Sequence, residues 1–124
     1  MSLFTIDISN LLWQPVGSVA EFQFEQDVPT NTWEDLICDE ALSMHIKLVR
    51  EAYGVNCILR ELSTIVSIVS EGIEWTPIHL EHISREFHLK KDITDTDDIE
   101  YIDTRDATID LIKIIEQELL IAGL

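Results

Sequence analysis

The amino-acid sequence predicts one folded domain that contains both β-strands and helices. The chain has 124 residues, the size of a single domain that buries a core without disulfides or metal ions. Hydrophobic residues make up 46% of it, which is typical of a globular protein and excludes a disordered chain. Short segments of alternating apolar and polar residues indicate strands, and an amphipathic segment at the carboxyl end indicates a helix. We therefore expect a single domain over residues 1–124.

Alternating segments predict strands in the first half of the chain. These segments are FTIDI at 4–8, EFQFE at 21–25, SMHIKLV at 43–49 and VNCIL at 55–59. A short helix is expected to begin at Ser9 or Asn10, and Pro15 and Gly17 end it. Residues 92–108 are acidic and loop-like around a short predicted strand, IEYI.

The middle of the chain allows two interpretations. Apolar residues recur at helical spacing within 55–71, and Thr76 before a proline is typical of a helix start. The local pattern therefore predicts helices at 55–71 and 77–89. The segment LSTIVSIVS is rich in β-branched residues and serine, which favours a strand instead. Spacing alone leaves both interpretations open.

The last segment predicts an amphipathic helix over 110–122. Asp110 or Thr108 is the expected N-cap, and Gly123 is the expected stop. The apolar stripe consists of Leu111, Ile112, Ile115, Leu119 and Ala122. We expect this stripe to pack on the rest of the domain.

Two isoleucines of the same segment, Ile114 and Ile121, lie off the stripe on a shared second face. We expect this face to be more exposed, and we take Ile114 and Ile121 as the candidate partner surface. The face is unsuited to a membrane, because Glu116 and Glu118 flank it and no basic residues surround it.

The charge of the chain excludes several classes of partner. It has 8 Lys and Arg against 24 Asp and Glu, a net charge of −16. Such a polyanion is repelled by phosphates and by anionic lipids, so we expect no tight direct nucleic-acid binding and no membrane binding. The basic residues are scattered along the sequence rather than clustered. A basic protein is the partner that this charge favours.

The cysteines and the first residues indicate a cytoplasmic protein. Cys38 and Cys57 are far apart and have no histidine at ligand spacing beside them, which is typical of free buried thiols in a reducing compartment. The segment MSLFTIDISNLLW lacks the basic region and the apolar run of a signal peptide. No segment reaches the ~20 apolar residues of a membrane span.

Motif chemistry gives little support for an enzyme or a metal protein. On a helix, His79, His82 and Glu86 would share a face at a spacing that zinc can use, whereas on a strand the two histidines would point to opposite faces. The acidic run at 92–98 lacks the glycine and the final glutamate of a calcium loop. No phosphate-binding loop or hydrolase motif is present. We expect no catalytic residues, no cofactor and no metal.

Three segments, in order along the chain, resemble the YceD family. They are LLWQPVGSVAEFQF at 11–24, IKLVREAYGVNCIL at 46–59 and IEYIDTRDATIDLIKIIEQELLIAGL at 99–124. The positions that carry the resemblance are Pro15, Gly17, Arg50, Gly54 and Asp110. The chain departs from the family where many members carry Cys-x-x-Cys, because Ser70 and Ile73 occupy those positions here. A zinc site is therefore not carried over.

The resemblance implies an α+β fold, an antiparallel sheet of about four to six strands in a meander with a C-terminal helix packed on it. It places strands at 43–50, 55–62, 64–70 and 77–88, against the helices of the local pattern. It also implies a non-enzymatic role in the accumulation of large-subunit ribosomal RNA and in ribosome assembly. The net charge of the chain makes a basic ribosomal or assembly protein the expected partner in that role.

Two other functions stay open at this point. One is an acidic inhibitor or nucleic-acid mimic, which the net charge of −16 favours directly. The other is a hydrolase or metal protein that uses the histidines, which requires the helical interpretation of 77–89. A homodimer is also open, since the second face of the last helix could cover a second copy.

Overall fold

The computed structural model of the chain describes residues 4–39, 41–72, 74–89, 100–102 and 107–123. In chain order the elements are β1 (Thr5–Asp7), α1 (Ser9–Leu12), β2 (Val19–Gln26), β3 (Leu36–Cys38), β4 (Leu42–Glu51), β5 (Gly54–Ile68), a 3-10 turn (Val69–Glu71), β6 (Thr76–His88), β7 (Glu100–Tyr101), β8 (Thr108–Asp110) and α2 (Ile112–Gly123). The acidic run Asp92, Asp95, Asp97 and Asp98 lies outside the described residues, as does Ile73.

The larger of two sheets has the strand order β2-β4-β5-β6-β7, and β3 pairs with the far end of β5. Its strand pairs are antiparallel except β6 and β7, which run parallel. The smaller sheet is the antiparallel pair of β1 and β8. Helix α2 contacts β5 and β6. The expected α+β fold, an antiparallel sheet with a C-terminal helix packed on it, is confirmed.

Strands β5 and β6 occupy the two segments for which the local pattern predicted helices, so the helices at 55–71 and 77–89 are wrong. β5 has strand neighbours on both sides, β6 on one and β4 with β3 on the other. Its β-branched residues suit a pleated sheet, and this two-sided pairing outweighs the helical spacing of the apolar residues. The strands that the resemblance implied at 55–62 and 64–70 are joined into one strand that ends at Ile68.

An extra residue, Glu61, interrupts the regular alternation of β5. Its φ is +53°, and the register between β4 and β5 shifts there, as in a β-bulge. The buried positions of β5 change parity across it, from Val55, Cys57 and Leu59 to Leu62, Thr64 and Val66. The buried positions of β6 change opposite Glu61 as well. They are even-numbered towards the beginning of the strand, at Ile78, and odd-numbered towards its end, at Ile83 and Phe87. Both strands therefore keep one apolar face over their full length.

Helix α2 covers that apolar face. Leu111, Ile115 and Leu119 are buried, as the stripe predicted. Arg85 of β6 forms an ion pair with Glu118, which ties the middle of the helix to the sheet. The Trp33 Nε1–H donates to the Ile112 carbonyl at 3.1 Å and fixes the beginning of the helix. Neither α-helix among the described residues is long and apolar enough to cross a membrane.

The expectation that Ile114 lies on an exposed face is wrong. Ile114 is 2% exposed, whereas Ile121 is 70% exposed. The two residues lie seven positions apart, but the buried arc of the helix is centred near Leu111 and Glu118 and is wide enough to include Ile114. Ile112, which the stripe placed in the core, is only half-buried. Of the candidate partner surface, only Ile121 remains accessible.

Substitutions on α2 are expected to separate the two isoleucines. Ile114→Asp buries a carboxylate without a partner, and it should reduce the free energy of unfolding by more than the about 2–5 kcal/mol expected for Leu119→Ala. Ile121→Asp is the matched control on the exposed side and should change it by about 0.5 kcal/mol or less. Urea denaturation followed by circular dichroism measures all three. Equal losses for Ile114→Asp and Ile121→Asp would contradict the burial described.

Candidate functional site

Four of the positions that carry the family resemblance meet at one turn of the fold: Pro15, Gly17, Arg50 and Gly54. The Gly17 N–H donates to the Arg50 carbonyl at 2.7 Å, and the Arg50 N–H donates to the Ser18 carbonyl at 2.8 Å. The Ser18 N–H in turn donates to the Pro15 carbonyl at 3.1 Å. Arg50 Nη1 donates to the Gly54 carbonyl at 2.9 Å. The beginning of β2 is thus fastened to the β4–β5 hairpin, and these residues position strands.

Local contacts explain the residue type at two of the positions that carry the resemblance, Gly54 and Asp110. At Gly54 an added Cβ would lie 2.2 Å from the Phe87 carbonyl oxygen, so β6 approaches too closely for any side chain. Asp110 lies elsewhere, before α2. Its Oδ1 accepts a hydrogen bond from the Ile112 N–H at 3.0 Å, so Asp110 satisfies the first N–H of α2, although the first helical hydrogen bond is accepted by the Leu111 carbonyl, one residue after the expected cap.

A serine, a histidine and a glutamate form a hydrogen-bonded chain at the bulge of β5. Ser63 Oγ lies 2.9 Å from His79 Nδ1, and His79 Nε2 lies 3.0 Å from Glu61 Oε2. A cavity of about 480 Å³ opens beside Ser63 and His79. Hydrolases use a hydroxyl, an imidazole and a carboxylate in this order to activate a nucleophile.

The exposure of these groups favours a structural role. The His79 side chain is 51% exposed and the Glu61 side chain 68%, so water competes for their polar atoms. In a catalytic triad the carboxylate is buried, and burial is what makes its effect on the histidine large. The contacts join the extra residue of β5 to β6. We therefore interpret them as a tie that stabilises the bulge.

The other histidines of β6 do not complete a metal site. Because β6 changes parity near the bulge, His79 and His82 both lie on the exposed side, although alternation along a regular strand predicted opposite sides. His88 Nε2 lies 3.2 Å from Glu86 Oε1, a single carboxylate. Within the described ranges, no group of three His, Cys, Asp or Glu is placed to hold a metal ion.

Three basic side chains line up across the exposed face of the sheet. His45, Arg60 and His82 occupy one register position on β4, β5 and β6. His45 Nε2 also lies 3.4 Å from Glu21 Oε1 on β2. Sequence reasoning missed this row because the three residues meet only through strand register. One arginine flanked by two histidines is a small basic cluster for a phosphate backbone, which proteins contact with several clustered Lys or Arg side chains.

Exposed apolar side chains concentrate in the segment 13–22, which we call the apolar edge segment. Its four members are Trp13 (89% exposed), Val16 (60%), Val19 (48%) and Phe22 (39%). Val69, Trp75 and Ile121 are also exposed. Sequence reasoning missed the edge segment, because apolar residues in predicted elements are normally assigned to the core. Exposed large apolar residues of this density are typical of interaction sites.

A cavity of about 430 Å³ lies between β1 and β2, next to the apolar edge segment. Phe22 and Phe24 of β2 line it, together with Leu111 from the core. The ring of Phe24 packs against that of Phe4, with centroids 5.3 Å apart. Glu25 and other polar residues also line it, so apolar rings and carboxylates meet at this edge of the sheet.

Both cysteines are free and buried, as the sequence predicted. Burial raises the pKa of the Cys57 thiol to about 12. Burial also raises the pKa of Cys38, and a hydrogen bond with Thr64 offsets part of that increase. Thiols with raised pKa values are poor nucleophiles at neutral pH, so these side chains act as core residues.

Substitution of Gly54 tests the close approach of β6. Gly54→Ala should reduce the free energy of unfolding by about 3 kcal/mol or more, because the methyl group meets a backbone oxygen that cannot move without breaking the β5–β6 ladder. Gly72→Ala is the control, since Gly72 also has a positive φ but has no atom within 4 Å of the added Cβ. Backbone strain alone should cost it about 1–3 kcal/mol, since its φ of +94° and ψ of −166° lie in a region essentially restricted to glycine, and Gly54→Ala should lose clearly more. Similar losses in chemical denaturation would show that backbone strain, and not the close approach, accounts for Gly54.

The pKa of Cys57 predicts a loss of stability at alkaline pH. Above about pH 9 the unfolded chain releases the thiol proton while the folded chain keeps it, so the free energy of unfolding falls as the pH rises towards the folded pKa of about 12. Between about pH 8 and 10.5 this thiol should account for a loss of about 2 kcal/mol. Cys57→Ala removes the titrating group, so the free energy of unfolding of this variant should fall by about 2 kcal/mol less over the same pH interval. An identical pH dependence of urea denaturation in both proteins would contradict the assignment.

No family model, no curated protein and no solved structure matches this chain. The resemblance to the YceD family therefore remains an expectation from the sequence.

Proposed function

We propose that this chain is a non-enzymatic cytoplasmic factor that resembles the YceD family and supports large-subunit ribosomal RNA accumulation and ribosome assembly by binding a basic protein partner. The observation that carries the proposal is the apolar edge segment on a chain with a net charge of −16. Exposed apolar residues supply contact area, and the surrounding carboxylates select a basic partner.

The charge favours binding through protein rather than through RNA. A protein that binds phosphates needs clustered Lys and Arg, and each contact releases counterions. Of the described basic side chains, Arg85 is paired with Glu118 and Arg50 with backbone carbonyls. Ribosomal proteins are typically basic, so an acidic factor associates with them rapidly and is repelled by bare RNA.

The fold and the turn at Arg50 support the resemblance on which the cellular role depends. The resemblance implied strands where local spacing favoured helices, and β5 and β6 are strands. Pro15, Gly17, Arg50 and Gly54 are distant in sequence but meet at one turn. Residues that share one structural task in this way are consistent with a common family pattern.

An acidic inhibitor or nucleic-acid mimic is the second candidate, because the same net charge of −16 supports it. A mimic would compete with nucleic acid for a nucleic-acid-binding protein, whereas an assembly factor binds partners in the presence of RNA. The apolar edge segment favours the assembly factor, since charge mimicry alone does not require exposed aromatic side chains.

Affinity purification from the native cell tests the proposal. Tagged protein should recover basic large-subunit or assembly proteins, and nuclease treatment should not release them. The isolated protein should not bind naked ribosomal RNA with submicromolar affinity at ~150 mM salt, where charge interactions extend over ~8 Å. Loss of the partners after nuclease treatment, or recovery of a nucleic-acid enzyme alone, would contradict the proposed role.

A further inference from the structure

Strand β2 is the last strand of the larger sheet and pairs only with β4 among the described residues. The Ser18 carbonyl accepts from the Arg50 N–H, and the pairing continues in the same register through Gln26. Backbone groups of alternate residues in an antiparallel pair point to opposite edges. The N–H and C=O groups of Val19, Glu21, Gln23 and Glu25 therefore point to the open edge. An open edge of this kind is a template for an additional strand.

The two faces of the sheet beside this edge differ in chemistry. On the core face, Phe22 is 39% exposed and borders the cavity of about 430 Å³ between β2 and β1. On the outer face, Glu21 and Glu25 are exposed, with the exposed Gln23 between them. An added strand alternates its side chains between the same two faces. Alternate side chains of the added strand would therefore face the cavity on one side of the sheet and the carboxylates on the other.

We propose that β2 binds an extended segment of the basic partner, which adds to the sheet as a further strand. Apolar side chains of the segment occupy the cavity beside Phe22 and Phe24, and alternating Lys or Arg side chains lie next to Glu21 and Glu25. This inference rests on the proposed function for the class of partner and adds the site and the sequence pattern that the site selects. Backbone hydrogen bonds supply affinity, and the alternating pockets supply specificity.

A second copy of the chain is a poor occupant of this edge. Antiparallel pairing of β2 with β2 would bring Glu21 and Glu25 of one copy close to those of the other. Like charges opposite each other on paired strands are destabilising, and each chain already carries a net charge of −16. The acidic edge therefore disfavours the homodimer and at the same time attracts a basic strand.

The first test uses Gln23→Pro in the full chain. Proline removes the N–H that points to the open edge and leaves the ladder with β4 intact, as prolines on edge strands do. Gln23→Ala is the matched control, because it changes the same side chain and keeps the N–H. Circular dichroism and urea denaturation establish that both variants are folded. The probe is a fluorescein-labelled eight-residue peptide of alternating Lys and Val, and its binding is followed by fluorescence anisotropy.

Gln23→Pro should weaken peptide binding by about tenfold, and Gln23→Ala by about twofold or less, since one or two backbone hydrogen bonds are worth roughly 1 kcal/mol each. A peptide of the same composition with four Lys followed by four Val should bind the wild type more weakly, because it cannot place one residue type on each face. Equal binding of the two peptides, or of the two variants, would overturn the proposal in favour of charge attraction alone.

Charge and amide exchange give a test that does not depend on the proline variant. Glu21→Gln with Glu25→Gln should weaken binding by several-fold more than Glu34→Gln with Asp35→Asn, which removes the same charge from an exposed loop. On peptide binding, the amides of Glu21, Gln23 and Glu25 should gain protection from hydrogen exchange, whereas those of Phe22 and Phe24 already bond to β4. Unchanged exchange at the three outward amides would overturn the edge-strand geometry.

The two proposals fail in different ways. If Gln23→Pro recovers ribosomal and assembly proteins from the cell as well as Gln23→Ala does, the edge is not the site, and the proposed function stands. If the alternating peptide binds the edge as described but no such proteins are recovered with the wild type, the edge-strand inference stands, and the cellular role is wrong.

Discussion

The pairing of β5 with strands on both of its sides is the constraint on which the rest of the structure depends. β5 spans Gly54–Ile68, and every other long strand is placed by its register with β5 or with a neighbour of β5. Helix α2 packs on the apolar face that β5 and β6 share. The turn at Arg50 fixes one end of this arrangement, because it joins the hairpin between β4 and β5 to the beginning of β2. The open edge of β2 is therefore held in place by contacts that begin at the central strand.

Sequence reasoning found the parts of the fold that depend on one element and missed those that depend on several. The stripe of Leu111, Ile115 and Leu119 located the core face of α2, since a helix carries its own periodicity. The burial of Ile114 could not be read in the same way, because it depends on how the helix is rotated against the sheet. The helices predicted at 55–71 and 77–89 failed for a related reason: apolar spacing does not report strand partners distant in sequence. The apolar edge segment was missed because the exposure of its side chains depends on which other parts of the chain pack over them.

On this surface the carboxylates and the exposed aromatic side chains together limit self-association and select the partner. An open strand with apolar residues invites self-association, and carboxylates along it oppose pairing between copies. The same carboxylates make the strand selective for positively charged segments. Glu21 and Glu25 therefore give the edge its specificity, while Phe22 and the cavity beside it give it contact area.

The extra residue at Glu61 has a consequence for how the sequence can vary. In a strand without a bulge, a slip of one residue turns the whole apolar set to the opposite face. In β5 the apolar set has odd numbers on one side of Glu61 and even numbers on the other, so without the bulge only one half of the set could face the core in any register. The bulge thus fixes the alignment of β5 with both neighbours. Loss of Glu61 would give β5 regular alternation with both halves of the apolar set still facing the core, but β6 would keep the residue that lies opposite Glu61, so compensation would require a matching loss in β6. The lengths of these two strands are therefore expected to change together, or not at all.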